Sequence, residues 1–196
     1  MEILDMKQRS PEWFAVKAGK PSPSCFDQII TTKGDRSKQR EKYLYKMAGE
    51  AVAGIREDGY ISFAMQRGTE MEPEAKAMYE LMTGEFIQEV GYVKNDICGG
   101  SPDGLIGDDG LIEIKCPIIT THVEYLIKGK LPTTYFQQVQ GYLYITGREW
   151  LDFMSYYPGL KPLVVRVTPD KPWIEKLEQE LIAFNEDLAK LIGEIQ

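Results

Sequence analysis

The segment that most constrains the fold is residues 100–117, which combines a tight-turn signal with a charged pair inside an otherwise apolar strand. Its centre, Asp108-Asp109-Gly110, is typical of a β-hairpin turn. Residues 111–115 have strand character, and side chains on a strand alternate between its two faces. Glu113 and Lys115 are therefore predicted on the same face of the second hairpin strand.

Folding back at this turn brings Asp103, which lies in a Ser-Pro-Asp-Gly turn, close to Glu113 and Ile114. Two carboxylates and the ammonium of Lys115 then converge. Carboxylate oxygens suit Mg²⁺ or Mn²⁺, and a neighbouring lysine can orient or help deprotonate a water, or balance the charge of a phosphate. Taken singly, an Asp-Gly turn and a Glu-x-Lys strand are more often structural. Burying Glu113 beside Lys115, however, is costly unless they pair or bind a metal.

This arrangement resembles the PD-(D/E)xK nuclease superfamily, and three motifs narrow the resemblance. Ser-Pro-Asp-Gly-Leu at 101–105, Leu-Ile-Glu-Ile-Lys-Cys-Pro at 111–117 and Gln-Val-Gln at 138–140 look like the lambda exonuclease (YqaJ-type viral recombinase) family. The resemblance runs over residues 10–167. It implies an α/β fold in which a central mixed β-sheet is flanked by helices, the restriction-endonuclease-like nuclease core.

The activity that this resemblance implies is a Mg²⁺-dependent exodeoxyribonuclease, with Mn²⁺ as a substitute, that degrades duplex DNA from the 5′ end and exposes 3′ single strands for recombination. It also implies a ring-shaped homotrimer around DNA, a single-strand annealing protein as partner, and a cytoplasmic location in the bacterial host of a phage or prophage. Two alternatives stay open. One is an endonuclease or single-strand-specific nuclease of the same superfamily, because the same hairpin serves those enzymes. The other is a catalytically inactive DNA-binding module.

Carried over residue by residue, the resemblance gives a metal site of carboxylates and one main-chain oxygen: Asp103, Glu113, Ile114 and Glu72. Lys115 and Gln138 complete the expected catalytic set by positioning a water for in-line attack on phosphorus. From the residues alone, Glu72 cannot be separated from Glu70 or Glu74 in an acid-rich helix, and Gln138 is equally compatible with a solvated helix face.

A pocket for the 5′-terminal phosphate is also implied by the resemblance, at Lys17, Ser24, Arg36 and Ser101. Lys17 stands where family members typically have arginine, so it keeps the charge and loses the bidentate fork. Ser24 precedes a predicted helix, where a hydroxyl suits an anion and equally suits simple capping. Arg36 is one choice among the basic residues of a loop over 33–40. Two further side chains are expected to contact the DNA or to act as a wedge: Met65 and Tyr135.

Composition predicts one domain over residues 1–196, long enough to bury a core. The net charge of −7 is unexpected for a DNA-binding protein, although basic residues cluster over 33–46, either as a DNA track or as a solvated helix face. No signal peptide or long apolar run is found, which predicts a protein neither secreted nor membrane-spanning. The 3 cysteines lack metal-type spacing, and the single histidine argues against a zinc site.

The remaining elements follow from local signals. We expect a loose lead-in over 1–9, a helix capped by Ser10, helices over 37–52 and 61–83, and a strand over 86–94. A helix capped by Thr120 or Thr121 should follow the hairpin. The last helix carries apolar residues at steps of three and four, at Ile174, Leu177, Leu181, Phe184, Leu188, Leu191 and Ile195. This seam packs either on the chain's own sheet, which we favour, or between subunits.

Overall fold

A computed structural model describes residues 1–55 and 63–196, apart from the side chains of residues 63–65. Its α-helices are α1 (Pro11–Lys17), α2 (Arg40–Ala53), α3 (Phe63–Thr83), α4 (Ile119–Lys128), α5 (Phe136–Thr146) and α6 (Lys171–Ile195). Its strands are β1 (Glu2–Leu4), β2 (Ile87–Gln88), β3 (Tyr92–Lys94), β4 (Gly99–Gly100), β5 (Gly104–Ile106), β6 (Gly110–Lys115), β7 (Trp150–Ser155) and β8 (Leu163–Val167). Short 3₁₀ helices occupy Pro23–Gln28 and Thr133–Tyr135. The side chain of Met65, an expected DNA contact, lies outside the described residues, as do residues 61 and 62.

The strands form two sheets. A five-stranded sheet has the order β2-β5-β6-β7-β8, in which β6 and β7 run parallel and the other neighbours run antiparallel. A smaller antiparallel sheet has the order β1-β3-β4. The hairpin expected at Asp108-Asp109-Gly110 is present as β5 and β6, with Ile106 opposite Gly110. The prediction of a central mixed sheet is therefore confirmed.

The two faces of the five-stranded sheet bury different helices, because side chains alternate along each strand. Leu111 and Phe153 belong to a core shared with α2, α5 and α6. Ile112 and Met154 point to the opposite face and pack with Tyr79 of α3. Each fully buried side chain of this size stabilises the fold by about 1.5–3 kcal/mol. The hairpin strand β6 thus lies between two helical layers, as the predicted fold class requires.

Three local predictions were wrong. The lead-in over 1–9 contains β1, which pairs with β3. The single strand expected over 86–94 is two strands, β2 and β3, which belong to different sheets. The chain changes sheets at Gly91, where a Cβ would lie 2.1 Å from the Met6 carbonyl oxygen, so only glycine fits. Finally, α4 begins after Ile118, which takes the N-cap position that we assigned to Thr120 or Thr121.

Other local predictions are confirmed. Ser10 caps α1, its Oγ accepting a hydrogen bond from Trp13 N at 3.3 Å. The helix expected over 61–83 is present as α3, which is described from Phe63 to Thr83 and contains Pro73. The apolar seam of α6 is internal at its centre, where Leu181 and Phe184 are buried, and Phe184 lies 5.6 Å from the ring of Tyr43 in α2.

Within residues 1–55 and 63–196, no helix combines the length and the apolarity needed to cross a membrane.

Candidate active site

The open end of the β5–β6 hairpin brings the central candidate residues together. Strand β5 pairs with β6 only as far as Ile112, so the following residues of β6 have no β5 partner. Asp103 lies opposite this unpaired part, and its Oδ2 accepts a hydrogen bond from Ile114 N at 2.6 Å. The N–H and C=O of one strand residue point to the same side. The Ile114 carbonyl is therefore directed to the side on which Asp103 lies.

Glu113 is the centre of the hydrogen-bond network. Its Oε1 accepts from Lys115 Nζ at 2.6 Å and from Gln138 Nε2 at 2.6 Å. The residue is only 2% exposed, and its other oxygen, Oε2, is buried with no hydrogen-bond partner among the described residues. A buried carboxylate oxygen without a partner is costly. This oxygen is therefore suited to a cation that the chain itself does not supply.

The electrostatics of the site indicate a deficit of positive charge. Burial and the neighbouring Glu113 raise the pKa of Asp103 well above its usual range, although Lys115 opposes the shift. Burial also raises the pKa of Glu113, and here Lys115 again lowers it in part. For Lys115, burial lowers the pKa, but the charges of Glu113 and Asp103 outweigh burial and raise it overall. The carboxylates thus keep the lysine charged, and one ammonium does not fully balance both of them.

Glu72 lies on α3 and lines the same cavity, of about 830 Å³, as Asp103 and Lys115. Its Oε1 forms an ion pair of 3.0 Å with Lys76 Nζ, which is also 2.8 Å from Glu89. Within residues 1–55 and 63–196, no group of three or more His, Cys, Asp or Glu side chains is placed to hold a metal. The structure therefore brings Asp103 and Glu113 together, with Glu72 on the cavity wall and paired to a lysine.

Helix α5 and the turn before it complete the site. Gln138 and Tyr142 are four residues apart on α5 and therefore share a face of the helix. Tyr142 Oη donates to the Ser101 carbonyl at 2.8 Å, which ties α5 to the hairpin. The Tyr135 ring lies 5.2 Å from Lys115 Nζ and packs against Phe153 at 5.1 Å. Tyr135, which we expect to contact DNA, thus lines the cavity and packs on the sheet through Phe153.

Three of the four residues expected at the 5′-phosphate lie around Trp13 and the β4 region. Trp13 Nε1 donates to Ser101 Oγ at 2.8 Å, and Lys17 Nζ lies 3.8 Å from the centre of the Trp13 ring. Ser24 follows Pro23, whose ring is so close to Gly100 that a Cβ there would lie 2.8 Å from it. Lys17 and Ser101 thus both contact Trp13, whereas Ser24 is placed near them only through the contact of its neighbour Pro23 with Gly100, and its own hydroxyl lies 3.3 Å from Ser22 Oγ.

Arg36 has a different environment. Its Nε lies 2.9 Å from Glu180 Oε2 on α6, and the nearby Arg40 pairs with Asp187 at 2.8 Å. These contacts involve the last helix, and none of the three other expected phosphate residues takes part in them. Part of the basic cluster over 33–46 is consequently neutralised by α6, which favours a structural role for those arginines over a continuous DNA track.

A family model for the YqaJ-like viral recombinase domain matches residues 12–149, which is most of the chain. The chain belongs to the YqaJ-like viral recombinase family. This finding agrees with the site geometry, because the matched residues include the hairpin, Gln138 and the Trp13 region. Among curated protein sequences, no match is found.

Solved structures similar to this YqaJ-like chain include an alkaline exonuclease from Laribacter hongkongensis, with 38% identity and a TM-score of 0.86 over 95% of this chain and 96% of that one. The same exonuclease in complex with dAMP matches with 37% identity, a TM-score of 0.86 and the same coverage. A phage-related exonuclease from Haemophilus somnus 129PT has 18% identity and a TM-score of 0.71 over 90% and 96%, which shows the fold alone. The YqaJ-like chain thus has a PD-(D/E)xK nuclease fold, and its homologues indicate a nuclease enzyme.

Sequence patterns missed three residues at the site of this YqaJ-like chain. Trp13 connects Lys17 to Ser101, although its place in α1 suggests only core packing. Arg67 Nη1 donates to the Pro117 carbonyl at 3.0 Å, which holds the end of β6 against α3. Arg9 lines the cavity from the segment before α1. No periodic or spacing signal marks these residues, because each contact joins segments that are distant in sequence.

Proposed function

We propose that this chain is a Mg²⁺-dependent exodeoxyribonuclease that degrades duplex DNA from the 5′ end and leaves 3′ single strands for phage-type recombination. The observation that carries the proposal is the convergence of Asp103, Glu113, Lys115 and Gln138 at one end of the hairpin. The related exonuclease from Laribacter hongkongensis has been crystallised with dAMP, the kind of mononucleotide that stepwise degradation of DNA releases.

The donor set suits Mg²⁺, with Mn²⁺ as a substitute. Glu113 Oε2, Asp103 and the Ile114 carbonyl would hold the ion, and Glu72 would reach it through a water. Mg²⁺ in nucleotide-processing sites is commonly held by one or two carboxylates and completes its shell with waters and substrate phosphates. Two converging carboxylates therefore suffice, although no group of three is present in the described ranges. When bound, the ion would neutralise charge on the scissile phosphate and acidify a bound water.

Lys115 and Gln138 would position the reacting groups. Both donate to the same oxygen of Glu113, so their N–H groups surround one point beside that carboxylate. From there they can orient a water in line with the bond between phosphorus and the leaving 3′ oxygen. The water oxygen bonds to phosphorus as that bond breaks; the water releases one proton to the solvent, and the released 3′ oxygen takes one up from it. The charge of Lys115 stabilises the extra negative charge on the phosphoryl oxygens.

The 5′-terminal phosphate would bind beside Trp13. Lys17 supplies a cation and Ser24 and Ser101 supply hydroxyl groups, which are common ligands of phosphate oxygens. This pocket would place the chain end at a fixed distance from the hairpin, so that cleavage begins at the end. Membership of the family further supports a ring-shaped homotrimer around DNA, an annealing protein as partner, and a cytoplasmic location in the host of a phage or prophage.

The alternatives are separated by one set of substrates. With Mg²⁺, the protein should degrade linear duplex DNA and leave closed circles intact. It should release 5′-terminal labels early, while 3′-terminal labels stay on the single strands that remain. Cutting of closed circles would instead identify an endonuclease, and cleavage of single strands alone would identify a single-strand-specific nuclease. Binding without cleavage would identify an inactive DNA-binding module. A chelator should stop the reaction and fresh Mg²⁺ should restore it.

A further inference from the structure

Arg9 has a backbone conformation that normally requires glycine. Its φ of 66° makes it the one non-glycine residue with positive φ in residues 1–55 and 63–196. The left-handed region disfavours any side chain with a Cβ, and Asn and Asp tolerate it best among those residues. Such strain persists only where the surroundings enforce it, and it clusters at functional sites.

The segment before Arg9 is anchored to residues 90 and 91. Gln8 Nε2 donates to the Val90 carbonyl at 3.0 Å, and the Met6 main chain packs against Gly91, where no Cβ would fit. The residue after Arg9 is Ser10, the N-cap of α1. The turn at Arg9 therefore joins two anchored pieces of chain, and its direction is fixed by both.

This turn places the Arg9 side chain in the candidate active site. Its Nη2 donates to Thr69 Oγ1 on α3 at 3.0 Å. Thr69 and Glu72 are three residues apart on the same helix, which places their Cβ atoms about 5–6 Å apart on one face. Arg9 lines the same cavity as Asp103 and Lys115. The guanidinium is therefore about one helical turn away from the expected metal-side carboxylate.

The charges of this cavity give the arginine a function. Its acidic lining consists of Glu70, Glu72 and Asp103, and its cationic lining, among the described residues, consists of Arg9 and Lys115. Lys115 is already bonded to Glu113. The acidic side chains of this cavity therefore repel the phosphates of a DNA strand that enters it, and the positive charge of Arg9 is placed to offset this repulsion. The planar fork of arginine matches two oxygens of a phosphate, and the bond to Thr69 uses only one of its five N–H donors.

We infer that Arg9 binds a backbone phosphate of the DNA strand being degraded, next to the scissile phosphate and on the α3 side of the cavity. The inference rests on the proposed nuclease function and adds a residue for positioning the substrate. It accounts for an arginine at a position where glycine would relieve the strain. The competing explanation is that Arg9 only ties the amino-terminal segment to α3 through Thr69.

The test compares three variants of the full chain with the wild type. Arg9→Gly removes the side chain and fits the left-handed turn, Arg9→Lys keeps the charge and loses the fork, and Lys190→Ala removes an exposed charge on α6 as a control. Three quantities are measured: the melting temperature, the salt dependence of binding to duplex ends without divalent ions, and the steady-state kinetics of cleavage with Mg²⁺.

Arg9→Gly should melt at or above the wild-type temperature, because glycine removes the strain. Loss of one phosphate contact should reduce the log–log salt slope of duplex binding by about 0.9. We expect kcat/KM to fall about tenfold or more, as for loss of a charged hydrogen bond. Arg9→Lys should keep most of the salt slope and lose part of kcat/KM, and Lys190→Ala should match the wild type.

Wild-type cleavage and an unchanged salt slope in Arg9→Gly would overturn the inference. A lowered melting temperature with an unchanged slope would overturn it too, since Arg9 would then act only through Thr69. The outcome separates this inference from the proposed function. If the wild type cleaves no DNA and Arg9→Gly still has a reduced slope, the nuclease proposal fails and the phosphate contact stands.

Discussion

Gln138 and Glu113, 25 residues apart in sequence, are joined by a hydrogen bond of 2.6 Å from Nε2 to Oε1. Lys115 donates to the same oxygen at 2.6 Å, so two donors occupy one side of the carboxylate. The other oxygen, Oε2, is left buried and without a partner among the described residues. Helix α5 thus determines which oxygen of Glu113 faces the donors and which one can face a cation.

Replacing Gln138 with leucine should lower kcat without unfolding the protein. The change keeps a similar volume and removes a donor to a charged group, which contributes about 1.5–3 kcal/mol, or about tenfold to a hundredfold in rate. Cleavage of linear duplex DNA with saturating Mg²⁺ gives kcat, and circular dichroism checks the fold. A wild-type kcat in this variant would show that Gln138 makes no contribution to catalysis.

Alanine at Asp103, Glu113 or Lys115 should abolish cleavage, lowering it about 10³-fold or more, because the two carboxylates would hold the metal ion and Lys115 would stabilise negative charge on the phosphoryl oxygens. Lys115→Ala should leave Mg²⁺ binding largely intact, which titration calorimetry can measure. The matched control is Asp108→Ala, which removes an exposed carboxylate from the turn of the same hairpin. Wild-type activity in any of the first three variants would reject the assignment.

The catalytic hairpin could be predicted because its information is local. Asp103, Glu113 and Lys115 lie within 13 residues, joined by a turn with a known geometry. The partners of Arg36 and the conformation of Arg9 could not be predicted in this way. Arg36 pairs with Glu180, 144 residues away, and that contact depends on where α6 packs. The position of Arg9 depends on two anchored segments that carry no periodic pattern.

The prediction of a single strand over 86–94 was wrong for a related reason. Its two real strands, Ile87–Gln88 and Tyr92–Lys94, are too short to show an alternating pattern, so they are read as one. Only the close contact of Gly91 with the Met6 main chain reveals the change of sheet. The apolar seam of α6, by contrast, repeats over many turns, and its burial within the chain was predicted correctly, although the helix packs mainly against α2 and α5 and not directly on the sheet as expected.

A 5′-phosphorylated duplex end should be degraded faster than a 5′-hydroxyl end. Lys17→Ala should reduce this preference about tenfold, since a charge-assisted hydrogen bond is lost. Lys17→Arg should strengthen the preference, because arginine adds a bidentate fork at the position beside the Trp13 ring. Initial rates on matched ends measure the effect. Equal wild-type rates on the two ends would reject the phosphate pocket.

The cysteines should differ in reactivity. Burial raises the pKa of Cys98 to about 12 and that of Cys116 to about 11, so both remain thiols at mildly alkaline pH. Cys25 is only partly buried. Brief treatment of the folded protein with iodoacetamide should therefore modify Cys25 first, as mass spectrometry of peptides can show. Denatured protein, in which all three thiols react, is the control, and rapid modification of Cys98 in the folded chain would contradict its burial.

Adjacent residues on α6 should respond very differently to truncation. Leu181 is 0% exposed in the main core, whereas Ile182 is 45% exposed. Leu181→Ala should lower the free energy of unfolding by about 2–5 kcal/mol, because it removes buried methyl groups and leaves a cavity. Ile182→Ala should change it by about 0.5 kcal/mol or less. Urea unfolding measures both variants, and sedimentation of the folded proteins compares their assembly.

If the seam of α6 instead packed between subunits, Leu181→Ala would keep its stability as a folded monomer and sediment as a smaller species. That outcome would contradict the internal packing of Leu181 with Phe184 and α2. If the seam is internal, the variant should lose stability at every protein concentration, and its assembly should change only as a result of unfolding. Measuring the urea midpoints of the wild type and the variant at two protein concentrations distinguishes them. A seam between subunits would make Leu181→Ala lose the concentration dependence that assembly gives the wild type, whereas an internal seam would lower the midpoint by a similar amount at both concentrations.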